Sequence, residues 1–140
     1  EGHSMAKQQQ RTPVKAKILV ADDHPIIRQG LRQILAATPD MIMAGEAETG
    51  PGVLDIVNRR DFDLVVLDMI MPNGLCGRET YERILEIRPG QRAIIASGYA
   101  MEGKAADIMN RGGNGFIQKP FNIFEFSKVV HETIEKPSSI

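Results

Sequence analysis

Five polar residues stand where short apolar runs end. Asp22-Asp23 follow Ile18-Leu19-Val20-Ala21, Asp68 follows Leu64-Val65-Val66-Leu67, Ser97 follows Ala93-Ile94-Ile95-Ala96, and Lys119 follows Phe116-Ile117-Gln118. Carboxylates brought together repel one another, and a hard divalent cation with oxygen ligands is the usual remedy. Magnesium suits such a set, because it keeps waters and shares phosphate oxygens. With a lysine and a hydroxyl alongside, the group is equipped for phosphoryl transfer to an aspartate. Asp68 is already ionised at neutral pH and needs no general base; Lys119 would neutralise phosphoryl oxygens and Ser97 would hydrogen-bond one of them. Singly, each residue has a plainer reading: an acid pair as a solvated helix cap, Ser97 as a turn residue, Lys119 as a surface lysine. Their joint placement carries the chemistry.

That placement depends on the elements between them. Ile18-Leu19-Val20 suits a strand buried on both faces. Pro25 can occupy a first helical turn, and Ile27, Leu31, Ile34 and Leu35 recur at helical spacing until Thr38-Pro39. A second strand is expected over Met41 to Ala47, a short helix through Val53, Leu54, Ile56 and Val57, and a third strand over Leu64 to Leu67. A helix with Tyr81, Ile84, Leu85 and Arg88 then runs to Pro89-Gly90, and Ala93 to Ala96 form the fourth strand. A polar, weakly amphipathic helix is expected over about Glu102 to Asn110, a fifth strand over Gly115 to Gln118, and a last helix over about 123 to 135 capped by Asn122 with Glu125. Short apolar strands alternating with helices predict an α/β fold with a doubly wound parallel sheet. Such sheets bind ligands at the carboxyl ends of their strands, where all five polar residues fall.

The bulk properties narrow the function. A chain of 140 residues, 42% apolar and 25% charged, supports one domain, and a formal charge of −1 gives no general attraction to nucleic acid or anionic membrane. The single cysteine, Cys76, has no internal partner, and His3, His24 and His131 lack zinc-site spacing, so a reducing, cytoplasmic setting is expected. No apolar run reaches membrane-spanning length. Glu1-Gly2-His3-Ser4 before Met5 reads as an expression-tag remnant. Residues 1–14 are expected to lie outside the fold, which then occupies 15–136 with a short tail at 137–140.

Ile18-Leu19-Val20-Ala21-Asp22-Asp23, Leu67-Asp68-Met69-Ile70-Met71-Pro72, Ser97-Gly98-Tyr99 and Lys119-Pro120-Phe121 together resemble, in order and spacing, the receiver domains of two-component response regulators. The resemblance implies a five-stranded flavodoxin-like sheet of order 2-1-3-4-5. It also implies transfer of a phosphoryl group from a phosphohistidine, on a sensor histidine kinase or phosphotransfer protein, to Asp68. Mg2+ would be held by Asp23 and Asp68 directly, by Asp22 mainly through water, and by the Ile70 carbonyl. The chain would be a phosphoacceptor switch, promoting only its own phosphorylation and slow autodephosphorylation. Ser97 and the inward turn of Phe116 would drive the switch, and output would pass through the surface of the fourth helix, fifth strand and fifth helix. The resemblance allows a phosphorylation-linked dimer and implies no direct contact with nucleic acid by this domain.

Departures from the family pattern have consequences. Met71-Pro72-Asn73-Gly74-Leu75-Cys76-Gly77 has an extra residue before its glycine and lacks the usual acid. Ile70 and Tyr99, two residues beyond Asp68 and Ser97, are bulky and non-acidic where relatives flank the path of the hydrolytic water, so slow loss of the phosphoryl group is expected. His24 is expected to cap or face solvent, Tyr81 to be core, and Cys76 to be incidental. Two other functions stand beside the switch. A hydrolase of the haloacid dehalogenase kind shares the residue types but places its nucleophile in an Asp-x-Asp pair on the first strand, and a pseudo-receiver would only bind partners. Features of the Leu67–Pro72 run resemble receivers of hybrid sensor kinases, whereas Asp22-Asp23-His24-Pro25 resembles those of transcriptional regulators.

Overall fold

Burial alternates residue by residue along the strands and divides the core in two. In the computed structural model, which describes residues 15–71, 74–98 and 115–135, Leu19, Ala21, Val65, Leu67, Ala93 and Ile95 face one side of a sheet. Ile18, Val20, Leu64, Val66, Ile94 and Ala96 face the other. A strand apolar at every position can only be stable when both faces are covered. Among the described residues, helices cover them in pairs. α2 (Gly50–Arg59) and α3 (Gly77–Ile87) place Val53, Val57, Tyr81 and Ile84 on the first face, while α1 (Pro25–Ala36) and α4 (Ile123–Glu135) place Leu31, Leu35, Phe126 and Val130 on the second.

The strands are β1 (Ala16–Ala21), β2 (Met41–Ala47), β3 (Leu64–Asp68), β4 (Ala93–Ser97) and β5 (Gly115–Gln118), all parallel, in the order β2-β1-β3-β4-β5. This is the doubly wound, flavodoxin-like sheet expected from the alternation of elements. The order reverses beside β1, so the crevice above β1 and β3 is where such a sheet receives a ligand.

Local chemistry accounts for the boundaries. The last helix begins with reciprocal bonds, Glu125 N–H to Asn122 Oδ1 at 2.8 Å and Asn122 N–H to Glu125 Oε1 at 2.9 Å, as its sequence predicts. α2 starts three residues earlier than its apolar periodicity suggests. Thr49 supplies the cap, accepting from Gly52 N–H at 3.1 Å, and a proline fits within the first turn. The helix expected over 102–110 lies outside the described residues, as do Pro72, Asn73 and Tyr99.

Candidate functional site

Asp22, Asp68 and Lys119 sit at strand ends that the neighbouring strand pins by one further backbone bond. Asp22 N–H donates to the Ala47 carbonyl at 3.1 Å, Met69 N–H to Ala96 at 2.8 Å and Lys119 N–H to Ser97 at 2.7 Å. The ladder thus extends one residue past β1, β3 and β5, fixing the backbone from which Asp22, Asp68 and Lys119 project. Asp22, Asp68 and Ser97 are buried, and Asp23 is partly exposed.

Lys119 joins the two buried acids. Its Nζ lies 2.8 Å from Asp22 Oδ2 and 3.2 Å from Asp68 Oδ1. The remaining oxygen of Asp22, Oδ1, accepts from the backbone N–H of His24 at 2.9 Å and faces His24 Nδ1 at 2.7 Å. Because Nδ1 also lies 3.2 Å from Asp23 Oδ1, it faces carboxylate oxygens only and must carry a proton. His24 stands at the N-cap of α1, yet its side chain makes no cap bond; the imidazole turns to the acids instead. The solvent-facing position expected of His24 holds, its side chain being 62% exposed, but it caps by position only, because two carboxylates attract Nδ1 more strongly than the helix terminus does.

The two buried acids are held in opposite senses. Burial pushes Asp22 up, but hydrogen bonds from Lys119 and His24 outweigh it and hold the carboxyl below its ordinary range. Burial, and then the charge of Asp22, push Asp68 above its ordinary range; Lys119 and the Ile70 N–H offset this only partly. Burial disfavours the Lys119 ammonium, yet Asp22 and Asp68 more than compensate, so it stays charged. The result is a settled Asp22–Lys119 pair beside an Asp68 anion short of compensating charge.

The residues fit a divalent cation. Asp22, Asp23, His24 and Asp68 each offer a ligand atom within 4.8 Å of the others. Asp22 has both oxygens engaged, whereas Asp23 Oδ1 is buried and accepts no hydrogen bond. A buried carboxylate oxygen that accepts no hydrogen bond, with His24 Nδ1 no nearer than 3.2 Å, beside an under-compensated buried anion is what a hard cation would satisfy, and the oxygen-rich donor set suits Mg2+.

Two contributors, Gly77 and Arg28, were not singled out from the sequence, and Ile70 makes a contact besides those expected of it. At Gly77, the first residue of α3, a Cβ would lie 2.5 Å from the Asp68 carbonyl oxygen and 2.9 Å from Met69 Cα, so only glycine lets α3 approach the phosphoacceptor candidate. Arg28 donates to the Asp22 carbonyl at 2.7 Å. The Ile70 N–H supports the Asp68 carboxylate, while the Ile70 side chain is exposed. Arg28, four residues after His24 and therefore one helical turn away, carried a readable signal; Gly77 did not. Phe116 is half-buried and packs on the α2–α3 face, beside Ile95 in the ladder, with Ser97 two pairs further along β4. Tyr81 is core, as expected.

This fold and this rim of acids, hydroxyl and lysine define a receiver, and residues 18–131 match the response regulator receiver domain family. The chain belongs to that family. It is 32% identical over 117 residues to the nitrate/nitrite response regulator protein NarL of Escherichia coli, covering 84% of this chain and 54% of that protein. It is 28% identical over 116 residues to the DNA-binding transcriptional activator DevR/DosR of Mycobacterium tuberculosis, covering 83% and 53%. The chain therefore spans about half the length of these curated relatives. Among solved structures, the signal receiver domain of a putative response regulator NarL from Mycobacterium tuberculosis superposes with a TM-score of 0.81 at 25% identity, covering 89% of this chain and all of that one. A CheY-like receiver domain protein from Methanospirillum hungatei gives 0.75 at 27% identity, covering 87% and 94%. The chain is a receiver domain of two-component signal transduction.

Proposed function

We propose that this receiver takes a phosphoryl group on Asp68 from a phosphohistidine of a sensor histidine kinase or phosphotransfer protein. A carboxylate oxygen of Asp68 forms the new bond to phosphorus as the bond from phosphorus to the imidazole nitrogen breaks, and the donor histidine keeps that electron pair. The observation that carries this reading is the position of Lys119, within 3.2 Å of Asp68 and 2.8 Å of Asp22, where its ammonium meets the incoming phosphoryl oxygens. Ser97 at the end of β4 donates its hydroxyl to another of those oxygens. Mg2+, held by Asp23, Asp68 and the Ile70 carbonyl and by Asp22 through water, would supply the remaining charge neutralisation. Asp22 is suited to the water-mediated role because its oxygens are engaged by His24 and Lys119.

Phosphorylation then draws Ser97 toward the phosphoryl group and lets Phe116, on the same sheet face, move inward. The change is read on the surface of β5 and the helices flanking it, by an output domain or effector or through a dimer of receivers. The donor reaches Asp68 over the rim bounded by His24 and Lys119. An apolar groove of Ile26, Ile27, Leu31, Ile34 and Phe121 begins there, with Lys119 at its end. The setting is the cytoplasm, and the chain acts as a switch rather than a turnover enzyme.

Incubation with Mg2+ and a small acyl phosphate, followed by intact mass, tests the reading. Wild type gains one phosphoryl group and Asp68→Asn gains none. Absence of any gain in wild type favours a pseudo-receiver, and steady release of phosphate over many turnovers favours a hydrolase.

A further inference from the structure

Arg28 lies one turn into α1 with its side chain only 15% exposed. Its Nη1 donates to the Asp22 backbone carbonyl at 2.7 Å, and its Nε donates to Glu46 Oε1 at 3.2 Å. Glu46 belongs to β2 and lies opposite Val20 of β1 in the ladder. The guanidinium therefore ties the peptide joining Asp22 to Asp23 to the sheet. On the other side of Asp22, its N–H is held by the Ala47 carbonyl at 3.1 Å. Both peptide planes flanking Asp22 are thus fixed from β2, one by a ladder bond and one by Arg28.

A plain structural role, stapling α1 to β2, is already filled by Arg32. Its Nη2 reaches Glu46 Oε1 at 2.7 Å and Oε2 at 2.6 Å. What Arg28 adds is the bond to the Asp22 carbonyl. A planar fork can serve a carbonyl and a carboxylate at once, and Glu46, shared with Arg32, together with Glu48 Oε1 at 3.9 Å offsets its charge.

We propose that Arg28, anchored on Glu46, is a positioning residue of the divalent-cation site, acting through the Asp22 carbonyl to present Asp23 Oδ1 and the Asp22 carboxylate to the ion. The proposal rests on the phosphoacceptor reading above. Groups that orient ligating carboxylates typically change metal affinity by about 10- to 100-fold when removed. Arg28 touches neither the ion nor the phosphoryl group, so its removal weakens metal uptake and leaves the attacking carboxylate in place.

Mg2+ alone, titrated by calorimetry into the whole chain, with thermal unfolding of the metal-free proteins measured in parallel, tests this. Arg28→Met is expected to weaken Mg2+ binding by about 10-fold or more, and saturating Mg2+ should restore much of its phosphorylation by acyl phosphate. Arg28→Lys should recover part of the affinity, because an ammonium satisfies one acceptor but not both in the same plane. Arg32→Met should keep wild-type affinity although it loses a Glu46 contact. Wild-type affinity in Arg28→Met overturns the proposal, and so does an equal loss in Arg32→Met, which would reduce both arginines to staples. Should Arg28→Met not fold, Arg28→Gln decides: weaker Mg2+ binding supports the proposal and unchanged binding overturns it. If wild type takes up no Mg2+, the phosphoacceptor reading fails first, a result distinct from the others.

Discussion

Lys119 Nζ lies 3.2 Å from Asp68 Oδ1, and the same ammonium is 2.8 Å from Asp22 Oδ2, so one cation serves two buried anions. Lys119→Met should leave both carboxylates without it. Loss of one donor aimed at developing charge typically costs about 100- to 1,000-fold in rate. Phosphorylation by acyl phosphate, followed by intact mass against time, should slow on that scale. A rate within a few-fold of wild type would show that the ammonium is not where charge is neutralised.

Asp68 and Mg2+ are linked through stability. Its carboxyl titrates above the ordinary range, so it binds a proton more tightly folded than unfolded. Ionisation therefore costs stability, and the cost grows as pH rises through the raised value. Without metal, Asp68→Asn should melt higher than wild type near neutral pH. Mg2+ at 100 times its dissociation constant should stabilise wild type by about 2.7 kcal/mol. Asp23→Ala should lose most of that gain, and a chelator should abolish phosphorylation. Equal Mg2+ stabilisation of wild type and Asp23→Ala would exclude Asp23 as a ligand.

Gly77 and Gly30 form a matched pair. A Cβ at Gly77 would strike the Asp68 carbonyl at 2.5 Å, whereas one at Gly30 meets nothing within 4 Å. Gly77→Ala should cost about 1–3 kcal/mol and slow phosphorylation, because the backbone carrying Asp68 must shift. Gly30→Ala, inside α1, should stabilise by about 0.5–1 kcal/mol. Chemical denaturation of both variants reads the contrast directly; an unperturbed Gly77→Ala would mean that α3 can move away freely.

His131 fastens α4 to the turn before β2. Its Nε2 lies 2.8 Å from Asp40 Oδ2 and its Nδ1 2.8 Å from the Ser127 carbonyl, two acceptors that favour the doubly protonated ring. The Asp40 hydrogen bond, more than any other contact, raises the imidazole pKa. The stabilisation is therefore complete below the unfolded value of about 6.5 and fades as pH climbs through the raised folded value. At the acid end it is lost as Asp40, held low by the same contact, takes up its proton. Melting temperature should fall from about pH 6 to pH 9, and His131→Gln should flatten that slope. An identical slope in both proteins would remove the clamp from the account.

Phospho-Asp68 should be long-lived, because Ile70 is apolar where a polar side chain would help place the hydrolytic water. The Ile70 side chain, two residues beyond the acceptor, is 63% exposed. The double variant Ile70→Asn, Tyr99→Glu should dephosphorylate faster than wild type when followed by mass after acyl phosphate is removed. Loss no slower in wild type would refute the long lifetime.

The sequence by itself determined the strands, the fold class and the rim. Leu64 to Leu67 and Ala93 to Ala96 are apolar at every position, which only a sheet covered on both faces tolerates, and each of these runs ends in a polar residue. Asp22, Asp23, Asp68, Ser97 and Lys119 were legible because strand ends in such a sheet share one edge. Contacts across the sheet were not legible. That Asp22 has its oxygens engaged by His24 and Lys119 while Asp23 Oδ1 accepts no hydrogen bond, that Arg28 reaches back to a carbonyl, and that Gly77 must lack a side chain all depend on atomic distances set by packing, whether the partners are distant in the chain, as Lys119 and Asp22, or near, as Arg28 and Asp22. Periodicity reports which face a residue takes; only packing decides which atoms meet there, because a difference of 1 Å separates a hydrogen bond from none.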